Sequence, residues 1–315
     1  MKLKHYIQTG FLTLCVSLIF QTALLSQETI QNQLSKYMQS VRADETSSPT
    51  PGSFYLNDQP KEVLDVLQSY YNDSVPDVRR KAYYITYKVG MEHKEVAKTA
   101  VRRLTEGLKD DESGLVGNVA TYLTNYEKTV FPESAKDTLV AILKRGAPHY
   151  KKIIKLAGYI DVEEGKEFLK SKLRKRSYSS ATEKWAIYTA LARMGEENAI
   201  EYCSEIARKL PVNDDFVYEI APDLIYTRQK PLINYLIELL HSNEKNCSTP
   251  NPEQETQIRC GYRIMELLAP VVKNFPLKVD AAGEIETDDY RKALKKAQKW
   301  FKQNKDNYQI IRNTY

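Results

Sequence analysis

A two-helix pattern recurs about every 32 to 40 residues from Pro60 to the end of the sequence. Its clearest copy begins at Val75-Pro76 and carries apolar residues at helical spacing as far as Val89. A hairpin of two helices cannot bury its apolar stripe by itself, so a repeat of this length predicts a stack in which each hairpin covers the next. Residues 60–315 are therefore predicted to form an all-α fold, a right-handed α-solenoid of about six hairpins.

The last helical pattern, from Asp288 to Asn304, has an apolar side and a strongly basic side. A repeat array needs a polar outer face on its terminal helix, because no further repeat covers that face. This segment is therefore predicted to be the C-terminal capping helix.

The first 26 residues have the layout of a secretory signal peptide. Lys2 and Lys4 precede an apolar run from Phe11 to Leu25, and Ser26 supplies a small residue for cleavage. The run is shorter than the roughly 20 residues needed to span a bilayer, so a retained anchor is the less favoured alternative. The mature chain is predicted to be exported, to the periplasm or the medium, and to contain no membrane span.

Residues 27–59 are predicted to be a leader that ends in a mobile linker. A short amphipathic stretch with Ile30, Leu34 and Met38 is followed by a Ser/Pro/Gly-rich stretch from Thr46 to Ser53. Such a composition favours turns, and it is the predicted boundary before the helical array.

The charge balance argues against one class of partner. A formal net charge of +5 on 315 residues is small, so long-range attraction to a polyanion is weak. Nucleic acid is therefore not expected as a partner.

Cys247 and Cys260 lie at the two ends of a polar, proline-containing stretch. In an oxidising compartment a disulfide between them would close a loop of about 14 residues and stabilise the fold by about 3 kcal/mol. Two free thiols are an equal alternative, because the sequence does not give the distance between the Cα atoms. Cys203 has apolar neighbours at helical spacing and is interpreted as a buried residue.

The residues Asp77-Val78-Arg79, followed by Ala82, resemble the second helix of a HEAT repeat. The unit from Glu112 to Ala120 keeps the apolar and alanine positions without the arginine. The resemblance implies HEAT-like hairpins in this chain. The family is similar in fold across scaffolds, transport receptors and adaptors, and it includes occasional enzymes such as bilin lyases, so it implies a binding surface rather than a reaction.

Motifs for catalysis or metal binding are absent from the sequence. The four histidines are far apart and no paired Cys-x-x-Cys occurs, which argues against a metal site. Phosphate-loop, dinucleotide and nucleophile-elbow patterns are missing too, and acidic pairs such as Asp214-Asp215 fit the starts of helices. The chain is predicted to be no enzyme and to hold no cofactor.

Tyrosine gives the one positive indication of function, with 22 Tyr against 8 Phe. Tyr84, Tyr122 and Tyr188 occupy equivalent places in three second helices, where they could form an aromatic ladder for an extended peptide or a glycan. Packing between repeats is the favoured alternative for them. Lys151 and Lys155 could add a basic patch to the same face, or they could be ordinary solvated lysines.

These observations predict an exported, non-catalytic HEAT-repeat scaffold. It would bind a partner protein or peptide on a concave face formed by the second helices of its hairpins. The alternative is a glycan-binding or glycan-processing accessory protein of the cell envelope. The candidate partner-binding residues are Tyr84, Tyr122, Lys151, Lys155 and Tyr188.

Overall fold

The computed structural model describes residues 29–45, 50–249, 256–280, 283–305 and 307–315. The predicted signal peptide at residues 1–26 lies outside the described residues, as do residues 46–49 of the Ser/Pro/Gly-rich stretch. Within the described ranges, none of the helices is both long and apolar enough to cross a membrane.

The prediction of an all-α protein is confirmed. Fifteen α-helices lie in the described residues, where the two β-strands have two residues each. The helices are α1 (Ile30–Arg42), α2 (Gly52–Tyr55), α3 (Pro60–Leu67), α4 (Pro76–Glu92), α5 (Ala97–Gly107), α6 (Ser113–Thr124), α7 (Glu133–Arg145), α8 (Tyr150–Ile160), α9 (Glu163–Arg174), α10 (Ala181–Arg193), α11 (Glu197–Lys209), α12 (Ala221–Thr227), α13 (Lys230–Leu240), α14 (Gly261–Leu268) and α15 (Tyr290–Gln303).

The first of two compact units ends at Ala100 and contains α1 to α4. Its core joins Leu34 and Met38 of α1 to Leu64 of α3 and Ile85 of α4. The structure thus differs from the prediction of a leader outside the array. The apolar residues of α1 give the reason, because they bury apolar surface of α3 and α4 in a common core.

Helix α4 carries the HEAT-like motif. Pro76 lies in its first turn, where backbone N–H groups have no partner within the helix. The N–H that proline lacks therefore costs no hydrogen bond there. Arg79 is buried, and its guanidinium donates a hydrogen bond to the carbonyl oxygen of Asp73 at 2.8 Å. The arginine of the motif therefore holds the turn that precedes the helix. The helix runs past Gly90 to Glu92, and Gly90 keeps a helical backbone and is buried.

The second unit runs from Val101 to Tyr315. Helix α7 packs on α8, α9 on α10, and α13 on α14, as hairpins should. The second helices α6, α8, α10, α12 and α14 each contact the next in that order, and α15 packs on α13 and α14. Stacking of successive hairpins, and a final helix that covers the last of them, are thus present within this unit.

Helices α8 and α10 pack tightly because α8 has a glycine at the contact. A β-carbon added at Gly158 would lie 2.8 Å from the Cα atom of Ala190 and 2.6 Å from the hydroxyl oxygen of Tyr226 in α12. Both distances are well below van der Waals contact, so only glycine permits this approach. Gly158 therefore sets how closely the second helices of three successive hairpins lie.

We expect Gly158→Ala to lower the free energy of unfolding by about 1–3 kcal/mol, because the new methyl group meets backbone of α10. Urea unfolding followed by circular dichroism measures the change. The matched control is Gly165→Ala in α9, where the added carbon would lie 3.5 Å from Leu143, an ordinary contact. That variant should be unchanged or more stable by up to about 1 kcal/mol, since alanine favours helix. Equal effects at both sites would contradict the proposed close packing.

Cys247 and Cys260 form a disulfide, with their Cα atoms 5.1 Å apart. It joins the antiparallel strands β1 (Cys247–Ser248) and β2 (Gln257–Ile258), which lie between α13 and α14. Asp214 accepts hydrogen bonds from the N–H and the hydroxyl of Ser248, at 3.0 and 2.6 Å, so this carboxylate anchors the strand pair. Cys203 is free and buried, and burial raises the pKa of its thiol to about 12.

Replacing both Cys247 and Cys260 by serine should lower the free energy of unfolding by about 3 kcal/mol, because the unfolded chain is no longer cross-linked. Urea unfolding with and without a reductant supplies the control. Reductant should destabilise the wild-type protein by a similar amount and leave the double variant unchanged. A reductant effect of the same size on both proteins would disprove this contribution of the disulfide.

Candidate functional site

A cleft of about 620 Å³ opens in the second unit between α8, α10, α11 and α12. Its size is in the range of sites that take a ligand or the side chains of a peptide. Lysines, aromatic rings and two carboxylates, those of Glu219 and Asp223, line it together. The lining residues that matter below are Lys151, Lys155, Trp185, Tyr202, Asp223 and Tyr315.

Other parts of the described structure bring together fewer side chains that could bind a ligand or a metal ion. A hollow of about 1030 Å³ in the first unit is lined mainly by exposed polar side chains and contains none of the predicted site residues. Across the described residues, no group of three His, Cys, Asp or Glu side chains is placed to hold a metal ion. The cleft in the second unit is therefore the candidate site.

One wall of the cleft is a π-helical turn, Phe216–Ile220, in place of the regular helix start predicted there. The N–H of Ala221 bonds to the carbonyl oxygen of Phe216. Pro222 has no N–H to offer the preceding turn, so an α-helical ladder cannot run through it. The wider turn leaves Tyr218 at the cleft with 58% of its surface exposed. π-Helical turns occur often at functional sites.

Asp223 ties the walls of the cleft together. Its carboxylate forms an ion pair with the ammonium group of Lys155 from α8. It also accepts a hydrogen bond at 2.7 Å from the indole N–H of Trp185 in α10. Lys155 therefore has an internal partner, whereas Lys151 is exposed and forms no ion pair within the described residues. Lys151 can therefore meet a ligand directly, as can Lys152, which is also exposed and lines the cleft.

A non-helical segment, Asn307–Tyr315, which we call the strap, runs beside the cleft. In its first half, Ile310 forms an antiparallel bridge with Val272, and the N–H of Ile311 donates to the carbonyl oxygen of Val271 at 2.8 Å. The hydroxyl of Tyr308 donates to the side-chain oxygen of Asn234 at 2.7 Å. These contacts fix the direction in which the strap crosses the ends of the second helices.

Arg228 holds the first and last carbonyl oxygens of Ile311–Tyr315. Its guanidinium donates to the carbonyl oxygen of Ile311 at 3.0 Å and to that of Tyr315 at 2.6 Å. A third N–H donates to the carbonyl oxygen of Ile225 in α12 at 2.6 Å. One side chain thus joins the end of α12 to both ends of this five-residue stretch.

The three carbonyl oxygens between them also have partners. Arg193 donates to those of Arg312 and Thr314, at 3.0 and 2.6 Å. The hydroxyl of Tyr159 lies 2.7 Å from the carbonyl oxygen of Asn313. Four of these five backbone oxygens therefore accept hydrogen bonds from two arginines, and the fifth shares the single proton of the Tyr159 hydroxyl with the carbonyl oxygen of Tyr126, 2.8 Å away. The site contacts the backbone, while the side chains of residues 312–314 are exposed.

The three binding side chains stand at the carboxyl ends of successive second helices. Tyr159 is next to last in α8, Arg193 is last in α10, and Arg228 follows α12 directly with a left-handed backbone. Helix ends of this kind carry partial negative charge and unpaired carbonyl groups. The guanidinium groups offset that charge, which lets a further row of carbonyl oxygens approach.

Both arginines are costly to bury. Arg228 is 4% exposed, and burial together with the nearby charge of Arg193 lowers its pKa to about 9. Burial lowers the pKa of Arg193 as well. At neutral pH both remain charged, yet in the part of the chain that is described neither forms an ion pair with an Asp or Glu side chain. Their charge is therefore stabilised by carbonyl oxygens and by aromatic rings.

The ring of Tyr315 closes the strap. It packs against the rings of Tyr159 and Tyr226, with centroids 5.6 and 5.1 Å apart. The guanidinium carbon of Arg193 lies 5.3 and 5.5 Å from the centroids of those two rings. Tyr315 also lines the cleft. The strap therefore leads directly into the open cleft.

The repeat-equivalent tyrosines do not line the cleft. Tyr84 packs partly buried against the core of the first unit, and Tyr122 is half-buried on α6. Tyr188 stacks on Tyr202 with a centroid distance of 3.6 Å, and the ammonium group of Lys184 lies over both rings. All three are packed side chains, which is the alternative that the sequence favoured. Of the five candidates, only Lys151 and Lys155 line the cleft.

Sequence reasoning missed Arg228 and the strap. Helical periodicity ends before the strap, and Arg228 looks like an ordinary basic residue at a helix end. A usable signal was nevertheless present. Tyr159, Arg193 and Arg228 stand about one repeat apart in the sequence, so they occupy equivalent places in three successive hairpins.

No protein-family model matches this chain, and no curated protein matches it. Among solved structures, it is similar to the complex of CpcE and CpcF of phycocyanin lyase from Nostoc sp. PCC7120. The TM-score is 0.46 and the sequence identity 12%, over 87% of this chain and 95% of that chain. A likeness this distant carries no argument about the partner or the chemistry of this chain.

The prediction that the chain is no enzyme is corrected. It rested on missing motifs alone, and one solved structure to which the chain is similar is that of a lyase complex. Missing motifs exclude only the reactions for which a motif is known, and helical-repeat folds host both binding and catalysis.

Arg228→Ala should release the strap, because two of its five carbonyl oxygens lose their donor. We expect the free energy of unfolding to fall by about 1–3 kcal/mol and the Ile311 amide to lose its protection from hydrogen exchange. Exchange measured by mass spectrometry on the strap peptide reports the second effect.

Arg312→Ala is the matched control, because this exposed arginine contributes its carbonyl oxygen and not its side chain. Its stability should stay within about 0.5 kcal/mol of the wild type, with the strap still protected. Continued protection of the strap in Arg228→Ala would contradict the role given to Arg228.

Proposed function

We propose that this protein binds a non-helical segment of a partner protein at the carboxyl ends of α8, α10 and α12 and in the adjoining cleft. One observation carries the proposal. The chain already holds a bent, non-helical segment of its own there, with the backbone oxygens of Ile311 and Tyr315 bound to Arg228 and those of Arg312 and Thr314 bound to Arg193. Binding through the backbone suits any peptide that can take this bend, because every residue offers the same carbonyl group.

The cleft supplies the side-chain selectivity in this proposal. Trp185 and Tyr202 offer apolar surface with polar tips, and Lys151 offers a positive charge at the rim. Asp223 is occupied by Lys155 and Trp185, so its charge is already balanced. A segment with an apolar or aromatic residue near an acidic one fits this lining.

We propose further that the hairpins are of the HEAT type. The residues Asp77-Val78-Arg79 support this, and so does the stacking of second helix on second helix within the second unit. Export is proposed from the composition of residues 1–26, with support from the Cys247–Cys260 disulfide, because disulfides persist in oxidising compartments.

A glycan is the second candidate ligand. It is favoured by the aromatic rings of Trp185, Tyr202 and Tyr218 around one cleft, since such rings suit a sugar as well as a peptide side chain. The same variants that test the first proposal distinguish the two ligands.

Filling the cleft should abolish binding. Thr182 is exposed in the first turn of α10 and lines the cleft, so Thr182→Trp places a ring in it without entering the core. Partners recovered from exported proteins with the wild-type chain should bind this variant at least tenfold more weakly, as measured by surface plasmon resonance.

Ser134→Trp is the matched control, because Ser134 is exposed in the first turn of α7 and does not line the cleft. It should bind like the wild type. Equal binding by Thr182→Trp and Ser134→Trp would place the partner elsewhere. A glycan array probed with the same three proteins identifies a sugar ligand if its signal disappears with Thr182→Trp.

A further inference from the structure

We infer that the strap occupies the place of the partner, and that the partner's segment is a bent, non-helical peptide with an aromatic residue where Tyr315 lies. This inference rests on the proposed function and names the chemistry of the peptide. It also makes binding an exchange, in which the partner's segment displaces Ile311–Tyr315.

The strap is held by contacts that another peptide can reproduce. The donors reach carbonyl oxygens, and the side chains of Arg312, Asn313 and Thr314 point to solvent. A different sequence at these three positions would offer the same acceptors. Selectivity within Ile311–Tyr315 therefore falls mainly on the last position, whose ring packs between two others.

The pocket for that ring is built for an aromatic residue. The rings of Tyr159 and Tyr226 lie 5.6 and 5.1 Å from the ring of Tyr315, in edge-on and tilted arrangements. Such geometries are favourable between aromatic rings. Tyr226 is further held by its hydroxyl, which donates to the carbonyl oxygen of Lys155 at 2.5 Å. An aliphatic side chain at this place would lose the ring contacts.

The arginines explain why exchange is favoured over simple opening. If the strap left without a replacement, Arg193 and Arg228 would lose four backbone acceptors, and Arg228 is a buried side chain. A buried charged donor without partners is costly. A second backbone with the same bend restores the acceptors, and an acidic side chain near them would gain further, because neither arginine pairs with an Asp or Glu side chain among the described residues.

The position of Tyr315 gives an incoming peptide a route. The ring lines the open cleft on one side and meets Tyr159 and Tyr226 on the other. A segment that settles first in the cleft therefore meets the end of the strap next, and can replace it one carbonyl group at a time.

A labelled peptide with the sequence of residues 307–315 tests the exchange on the full chain. By fluorescence anisotropy it should bind Tyr315→Ala at least tenfold more tightly than the wild type, because the intact strap competes with it. Changing the last tyrosine of the peptide to alanine should weaken that binding at least tenfold. Tyr290→Ala, an aromatic substitution in α15 outside the cleft, should behave like the wild type.

Ile311→Pro is a second way to loosen the strap, because proline removes the N–H that bonds to Val271. It should increase peptide binding in the same direction, and thermal unfolding checks that both variants remain folded. The partner to use is one whose binding is abolished by Thr182→Trp. When this partner binds the wild-type protein, hydrogen exchange should show that the strap loses protection.

Peptide binding that is equal in all variants overturns the inference, and so does a strap that stays protected in the bound complex. In either case, the proposed function stands if Thr182→Trp still weakens binding of the partner. If Thr182→Trp leaves partner binding unchanged, the proposed function is wrong as well. A dimer of Tyr315→Ala or Ile311→Pro that exchanges straps would identify a second copy as the occupant and overturn the inference of a partner peptide.

Discussion

The close approach of α8 and α10 at Gly158 is the contact on which the rest of the second unit depends. It leaves no room for a β-carbon against Ala190, and it brings the hydroxyl of Tyr226 beside the same glycine. Three second helices are thereby held side by side with their carboxyl ends together. Tyr159, Arg193 and Arg228 come from those ends, so helix packing determines the spacing of the donors that bind the strap.

Electrostatics then decides what those helix ends can bind. Three carboxyl ends side by side would repel a further row of carbonyl oxygens. Arg193 and Arg228 reverse this by placing positive charge and five-donor guanidinium groups at the same point. Because no Asp or Glu side chain pairs with either arginine among the described residues, the site favours a ligand rich in oxygen acceptors, and a peptide backbone is such a ligand. This physical preference underlies the proposal of peptide binding.

The sequence was informative wherever the signal was local and periodic. Helical spacing predicted the hairpins, and the stripe Val78, Ala82, Ile85 and Val89 is buried as expected. The strap has no period, and its partners are far away in the chain, as the contact of Tyr159 with Asn313 illustrates. Gly158 can be read from the sequence, but the residues that lie against it, Ala190 and Tyr226, belong to other helices, so the close contact cannot be read from it. Tyrosine abundance suggested a ligand surface, yet Tyr84 and Tyr188 pack internally while Lys151 and Lys155 line the cleft.

The most direct measurement is the scalar coupling across the hydrogen bond between the Nε atom of Arg228 and the carbonyl carbon of Ile311, in labelled full-length protein by NMR. These groups lie 3.0 Å apart from nitrogen to oxygen, so the coupling should be detectable and the Nε proton should exchange slowly with water. A missing coupling together with rapid exchange, as for a solvated arginine, would show that Arg228 does not hold the strap and would contradict the proposed binding site.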